Sequence, residues 1–307
     1  MNYTLNQLNI FLKITELKSI TKAAEALYLT QPAVSIQLKN FQDQFEIPLT
    51  EVIGRQLYVT PFGQEIAEAT KRILAEVETM KHKSLAFKGK LTGRLTIAVV
   101  STGKYVMPFF ISEFLKIQGG VDLVMDVTNR YQVLESLEKN EVDFAFVSVL
   151  PDNLKVEKIS IMENKLFLVA NPELAKTFSN KTEDIFDDLP WIYREEGSAT
   201  RQAMERFIAN KNIQVNKKIQ LTSNEAVKQA VLAGLGFSIM PLIGLKNELN
   251  DNEISIVPVN GLPIKTAWNL IWLKGKKFSP AALAYLGYLN ENIESVIKAH
   301  YSWLEKY

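Results

Sequence analysis

In residues 19–41 apolar positions recur at helical spacing twice in close succession. Ile20, Ala23, Ala24 and Leu27 share one face, with Ser19 placed to cap the first turn. Ala33, Val34, Leu38 and Phe41 form a second stripe, opened by Thr30 as N-cap and by Pro32 in the first turn, where a missing N–H costs little. Only Tyr28 and Leu29 separate the stripes, which leaves room for a sharp turn and nothing longer. The small alanines let the two helices cross closely, and Gln31, Ser35, Gln37 and Lys39 fall on other faces. A further helix is predicted over residues 4–17 from the capping box Thr4-x-x-Gln7. After the turn signal Ile47-Pro48, the alternation Gln56-Leu57-Tyr58-Val59 predicts two small strands around Gly54.

Thr60-Pro61 then opens a long helix. Ile66, Ile73, Met80 and Phe87 recur every seven residues, with Thr70, Val77 and Ser84 in the alternate core position. Such a stripe serves either packing on its own domain or a seam with a second copy. Lys88-Gly89-Lys90 and Gly93 end the helix as a flexible joint. From Arg94 the texture changes to strands alternating with helices. Strands are predicted over 95–100, 121–127, 142–149, 165–170, 191–193, 215–221, 237–240 and 267–273, and helices over 105–118, 131–139, 200–210 and 224–233. That alternation predicts a parallel or mixed sheet covered on both faces, with ligands at the C-terminal strand ends. Two crossings between two runs of strands make a hinged pair of lobes.

Composition narrows the class. At 307 residues the chain has room for two or three cores, and 47% hydrophobic with 22% charged residues excludes extended disorder. With no Cys there is no disulfide, thiolate metal site or Cys nucleophile. No signal-peptide pattern opens the chain and no apolar run is long enough to span a bilayer, so a cytoplasmic protein without membrane attachment is expected. His82 and His300 stand apart from any carboxylate or Ser arrangement, no phosphate-binding loop occurs, and Gly234-Leu235-Gly236 precedes a strand where a dinucleotide fingerprint needs the reverse order. Neither catalytic residues, a metal nor a cofactor is expected.

Two helices meeting steeply near the N-terminus, preceded by a helix and followed by a small hairpin, have the layout of a winged helix-turn-helix whose second helix enters the DNA major groove. Net charge is awkward for that reading: it is +1 overall, and residues 1–88 carry ten Lys/Arg against nine Asp/Glu. Affinity must then come from arrangement, through paired modules and helix N-termini.

Phe11, Ser19, Ala23-Ala24, Leu27, Gln31-Pro32-Ala33-Val34-Ser35, Leu38, Pro48-Leu49, Thr60-Pro61 and Gly63 together resemble the N-terminal module of LysR-type transcriptional regulators. The two-lobed region resembles the effector domain of the same family, which is like periplasmic binding proteins. VVSTGKYVMP, REEGSATR and LTSNEAVKQAVLAGLGFSIMP look closest to the branch regulating carbon-fixation (RuBisCO) operons. The resemblance implies DNA contacts at Gln31, Pro32, Ser35, Lys39 and Arg55. Where the family has Phe and then Arg after the Pro-Leu pair, this chain has Thr50 and Val52, and Arg55 stands as the substitute. It also implies a dimer seam through Ile66, Ile73, Val77 and Met80, with homodimers pairing into tetramers. The domain bounds expected are 1–60 for the winged helix-turn-helix, 61–88 for the linker helix, and 94–305 for the effector domain. Its first lobe would be residues 94–164 and 268–305, its second 165–267.

Ser101-Thr102-Gly103 follows the first strand of that domain and Ser198-Ala199-Thr200 opens a helix in the other lobe, so each offers hydroxyls and N–H groups to an anion. Asn129 with Arg130, Ser148 and Ser223 lie at equivalent strand ends. The effector residues expected are therefore Ser101, Thr102, Gly103, Asn129, Ser148, Ser198, Thr200 and Ser223, around a small anion. Simple capping explains any one of them alone. The functional expectation is a sequence-specific regulator of double-stranded DNA switched by that effector. A solute-binding protein is the alternative; an enzyme on the same scaffold lacks a catalytic constellation.

Overall fold

The computed structural model describes residues 2–54, 56–86, 91–178 and 190–307. They form two compact units, Met1–Lys90 and Leu91–Tyr307.

The first unit holds α1 (Leu5–Leu17), α2 (Ile20–Ala26), α3 (Gln31–Gln42), a hairpin of β1 (Thr50–Ile53) and β2 (Gln56–Val59), and α4 (Pro61–Ala86). Three local caps set its helix starts. Thr4 and Gln7 form the reciprocal capping box, Ser19 accepts from the Lys22 N–H, and Thr30 accepts from the Ala33 N–H. Tyr28 takes a left-handed φ of 55° to turn the chain between α2 and α3. Ala23 and Ala24 are buried against Phe11, Ile14, Val34, Leu38 and Phe41, so the close crossing rests on side chains that occupy almost no width. Gly63 is required where α4 starts, because a Cβ there would lie 2.0 Å from the Leu49 carbonyl oxygen.

The second unit runs β3 (Gly93–Val100), a 3₁₀ turn Ser101–Tyr105, α5 (Met107–Ile117), β4 (Val121–Thr128), α6 (Arg130–Glu138), β5 (Phe144–Val147) and β6 (Val156–Ala170). It continues with α7 (Pro172–Phe178), β7 (Trp191–Arg194), α8 (Ala199–Asn210), β8 (Lys218–Leu221), α9 (Asn224–Leu232), β9 (Ser238–Pro241), α10 (Lys246–Asn250), β10 (Ser255–Ile256), β11 (Ile264–Leu273), α11 (Pro280–His300) and a last 3₁₀ turn Ser302–Lys306. β3 is parallel to β4 and β5, while β6 and β11 form an antiparallel pair from Val156↔Leu273 to Leu166↔Ile264, with one irregularity between Trp268 and Asn269. The N-terminal half of β6 completes the β3–β5 lobe, and its C-terminal half carries β9 and β10 in the other. Separate cores fill the lobes: Phe110, Phe114, Phe144, Phe146, Trp268 and Tyr285 in one, Trp191, Met204, Phe207, Phe237 and Ile239 in the other.

Two differences from expectation bear on the site. β6 is longer than the predicted 165–170, because Glu157, Lys158 and Glu163 interrupt the apolar signal of a strand whose residues alternate with solvent. Helix α5 begins at Met107, two residues after the predicted start at 105, and the 3₁₀ turn Ser101–Tyr105 separates it from Ser101.

Candidate ligand cleft and DNA-binding face

Ser101, Thr102, Asn129, Ser148, Ser198 and Thr200 line one narrow cleft together with Val100, Arg130, Arg194 and Ala199. Six of the eight expected effector residues therefore meet in one place. The other two do not line it. Gly103 lies beneath, where a Cβ would stand 2.6 Å from Val99 and 2.7 Å from Phe146, so its absent side chain lets the turn close on β3 and β5. Ser223 is exposed and caps α9 by accepting from the Ala226 N–H at 3.0 Å.

The helix N-termini at the cleft are those of α6 and α8. Ser101 and Thr102 open no α-helix, so the first lobe presents instead the start of α6, where Asn129 accepts from the Gln132 N–H at 3.0 Å. The second presents α8, capped by Ser198 through the Arg201 N–H at 3.5 Å. Each helix start concentrates partial positive charge from unpaired N–H groups.

Full positive charge comes from Arg130, named with Asn129 at its strand end, and from Arg194, which the sequence pattern did not single out. Arg194 closes the apolar strand β7 and is 3% exposed. Its Nη2 donates to Ser101 Oγ at 3.0 Å, and its fork donates to both carboxylate oxygens of Glu195 at 2.7 and 2.8 Å. A charged residue ending a four-residue buried strand was the available signal. Arg130 donates to the Val149 and Leu150 carbonyls, which fixes its guanidinium at the rim. Burial pulls its pKa below the usual arginine value, Asp152 pulls it back and Arg206 pushes it further down, and an arginine so placed stays charged. Arg201 is engaged within its own lobe by Glu205 at 2.7 Å and Gln220 at 3.0 Å. The free space at the centre is about 10 Å³, roughly what one water needs. A larger anion must displace the Arg194 contacts or part the lobes.

On the first unit, Gln31, Pro32 and Lys39 are exposed and Ser35 is half-buried along α3, while Val34 and Leu38 are buried. Arg55 lies outside the described residues, as do residues 88–90 of the joint and the side chain of His82. Sequence reasoning missed Ile36, 58% exposed on the same helix; an isoleucine off the apolar stripe was its only mark. Along α4, Ile66 and Leu74 pack on the core of the first unit and Thr70 is buried, whereas Ile73 and Met80 are 41% and 69% exposed and Val77 is half-buried. Ile66 is thus half-covered by its own unit, while Ile73, Val77 and Met80 stand further out along the helix. Among the described residues no His/Asp/Glu group suits a metal, and no helix is long and apolar enough to cross a membrane.

A helix-turn-helix unit followed by a two-lobed α/β domain with a cationic cleft defines a ligand-responsive transcriptional regulator. Comparison with known proteins agrees. Residues 5–64 match the model of bacterial regulatory helix-turn-helix proteins of the lysR family, and residues 88–294 match the LysR substrate binding domain. The chain is 36% identical to the HTH-type transcriptional activator CmpR of Synechocystis sp. over 96% of its length and 97% of that protein. It is 37% identical to the RuBisCO operon transcriptional regulator of Allochromatium vinosum, covering 93% and 95%. Among solved structures, the regulatory domain of Synechocystis CcmR in complex with 2-PG matches 66% of this chain and 98% of that one at 30% identity and a TM-score of 0.62. Full-length CbnR complexed with its target DNA shares the fold over 94% and 99%, with a TM-score of 0.69 at 19% identity. The chain belongs to the LysR family of transcriptional regulators. Its curated relatives regulate transcription and are not enzymes.

Proposed function

We propose that the protein binds a double-stranded operator as a homodimer, two of which pair into a tetramer, and that a small phosphorylated carboxylic acid held in the cleft switches it. The observation that carries the effector reading is the buried Arg194 guanidinium, set between hydroxyls from both lobes and the starts of α6 and α8. A dianion there meets charge and preorganised donors together. The 2-PG bound by CcmR, whose regulatory domain is 30% identical, is an acid of that class. Acting on DNA places the protein in the cytoplasm. In this reading the winged helix-turn-helix spans residues 1–60, the linker 61–88 and the effector domain 94–305.

Changing Thr102 and Thr200 together to valine removes one hydroxyl from each lobe with little change of volume. Titration calorimetry should show 2-phosphoglycolate affinity falling by about ten- to a hundredfold, with basal operator binding unchanged. Unchanged anion affinity, or tighter wild-type binding of a neutral apolar compound, would overturn this assignment of the cleft.

For DNA, Gln31 and Ser35 are assigned to base edges, Lys39 and Arg55 to phosphates, Pro32 to the first turn of the recognition helix, and Ile36 to a thymine methyl. Gln31→Ala or Ser35→Ala should cost about 1–3 kcal/mol on operator DNA and little on random DNA, measured by fluorescence anisotropy at fixed salt. Equal losses on both would demote these residues to backbone contacts.

A further inference from the structure

At the cleft the lobes leave about 10 Å³ of free space, so any effector larger than a water molecule enters only when they part. Among the described residues, two side-chain hydrogen bonds join the lobes away from the β6–β11 pair, and both involve the turn Ser101–Tyr105. At its start, Ser101 Oγ accepts from Arg194 at 3.0 Å. At its end, the Tyr105 hydroxyl donates to Glu225 Oε2, in the first turn of α9, at 3.2 Å. An incoming anion competes for Arg194 and so replaces the first bond; the second lies outside the cleft lining, and nothing in the cleft exchanges with it. Each end of the second bond is braced within its own lobe. The Tyr301 hydroxyl donates to the Tyr105 and Val106 carbonyls at 3.0 and 3.2 Å. Lys228, 8% exposed, pairs with Glu225 at 3.3 Å and with Glu248 at 2.6 Å. Burial pushes the Glu225 carboxyl up, but hydrogen bonds from Gln229, Lys228 and Tyr105 and the Lys228 charge hold it below the usual carboxylate range, so the acceptor is an anion. Gly244 of the second lobe makes room for the Tyr105 ring: a Cβ there would stand 2.9 Å from Cε2.

We propose that the Tyr105–Glu225 hydrogen bond is a latch that keeps the lobes shut both before and after the effector binds, so that it sets how fast the effector enters and leaves and not how tightly it is held. The latch rests on the cleft being the effector site. A bond made equally in both closed states cancels from their difference, and therefore from the affinity. It does not cancel from the cost of parting the lobes, which entry and exit must both meet.

The test uses the full chain and compares wild type with Tyr105→Phe, which keeps the ring and removes the donor. Calorimetry gives the Kd of 2-phosphoglycolate, and phosphorus NMR line shapes give its exit rate. Entry and exit should both quicken by about three- to tenfold, the Glu225 side chain being 45% exposed, while Kd stays within about twofold. Glu225→Ala should do the same, and the double variant should be no faster than either single one. Lobe separation is read without any ligand by pulsed EPR between spin labels at Glu138→Cys and Asn210→Cys, the exposed ends of α6 and α8 in a chain with no other cysteine, diluted with unlabelled chain. Tyr105→Phe should add a longer-distance component. Melting curves on each variant confirm folding. Unchanged rates in Tyr105→Phe, or a weaker Kd at an unchanged entry rate, would overturn the latch. If wild type takes up no 2-phosphoglycolate, the effector reading fails by itself; a longer-distance component in Tyr105→Phe then still supports the latch on lobe opening, and its absence overturns it.

Discussion

Replacing Arg194 by methionine is expected to lower affinity for 2-phosphoglycolate by about a hundredfold or more, the largest effect any single change in the cleft should have. The guanidinium is buried, and charge-assisted hydrogen bonds in such surroundings are worth about 2–5 kcal/mol when one partner is removed. Loss alone would not separate a ligand contact from a structural one. Glu195 supplies the discrimination. Its carboxylate now occupies both arms of the Arg194 fork, at 2.7 and 2.8 Å, where an effector's own anionic group would bind. Glu195→Gln removes that internal competitor and one negative charge beside the incoming anion, so affinity should rise severalfold. Calorimetry on the two variants, with thermal melts to confirm folding, gives opposite signs on this reading. A parallel loss in both would show that the Arg194–Glu195 pair only holds the lobe together.

Ile73→Glu is expected to dissociate the dimer and lower operator affinity by at least a hundredfold. A module with nearly balanced charge cannot rely on counterion release alone, so it depends on two recognition helices engaging one operator, and bivalency is worth about 10²–10⁴. Ile73 is exposed within its own unit, so the substitution leaves the module's core untouched while placing a carboxylate on the apolar stripe proposed as the seam. Sedimentation and anisotropy on the same sample read both consequences. A variant that stays dimeric and binds with wild-type affinity would remove α4 from the interface.

What could be read from the sequence was whatever depends on neighbours a few residues apart. Thr4, Ser19 and Thr30 cap helices through N–H groups three residues on, so residue type and spacing were enough. Strand-then-helix order likewise brought out Asn129, Ser148, Ser198 and Thr200, because hydroxyls and amides cluster at strand ends. Arg194 escaped because its partner Ser101 lies 93 residues away, a proximity only the folded lobes create. One rule picked out both Ser198 and Ser223: both cap helices, and only tertiary position decides that Ser198 and not Ser223 lines the cleft. The seven-residue stripe on α4 turns partly toward its own unit at Ile66 for a geometric reason. A straight helix drifts by about 20° per heptad, so Ile66 and Met80 do not share one azimuth, and the inward side near its start belongs to the unit's own core.

The antiparallel pairing of β6 with β11 restricts how a signal can leave the effector domain. Ten rungs, from Val156↔Leu273 to Leu166↔Ile264, run through both lobes with a single register shift between Trp268 and Asn269. Sliding one strand along the other would break every rung at once and turn each side chain to the opposite face. Twisting about the ribbon's long axis breaks none. The two strands therefore act as a torsion bar, along which an effector held in the proposed cleft would act through an angle and not a displacement.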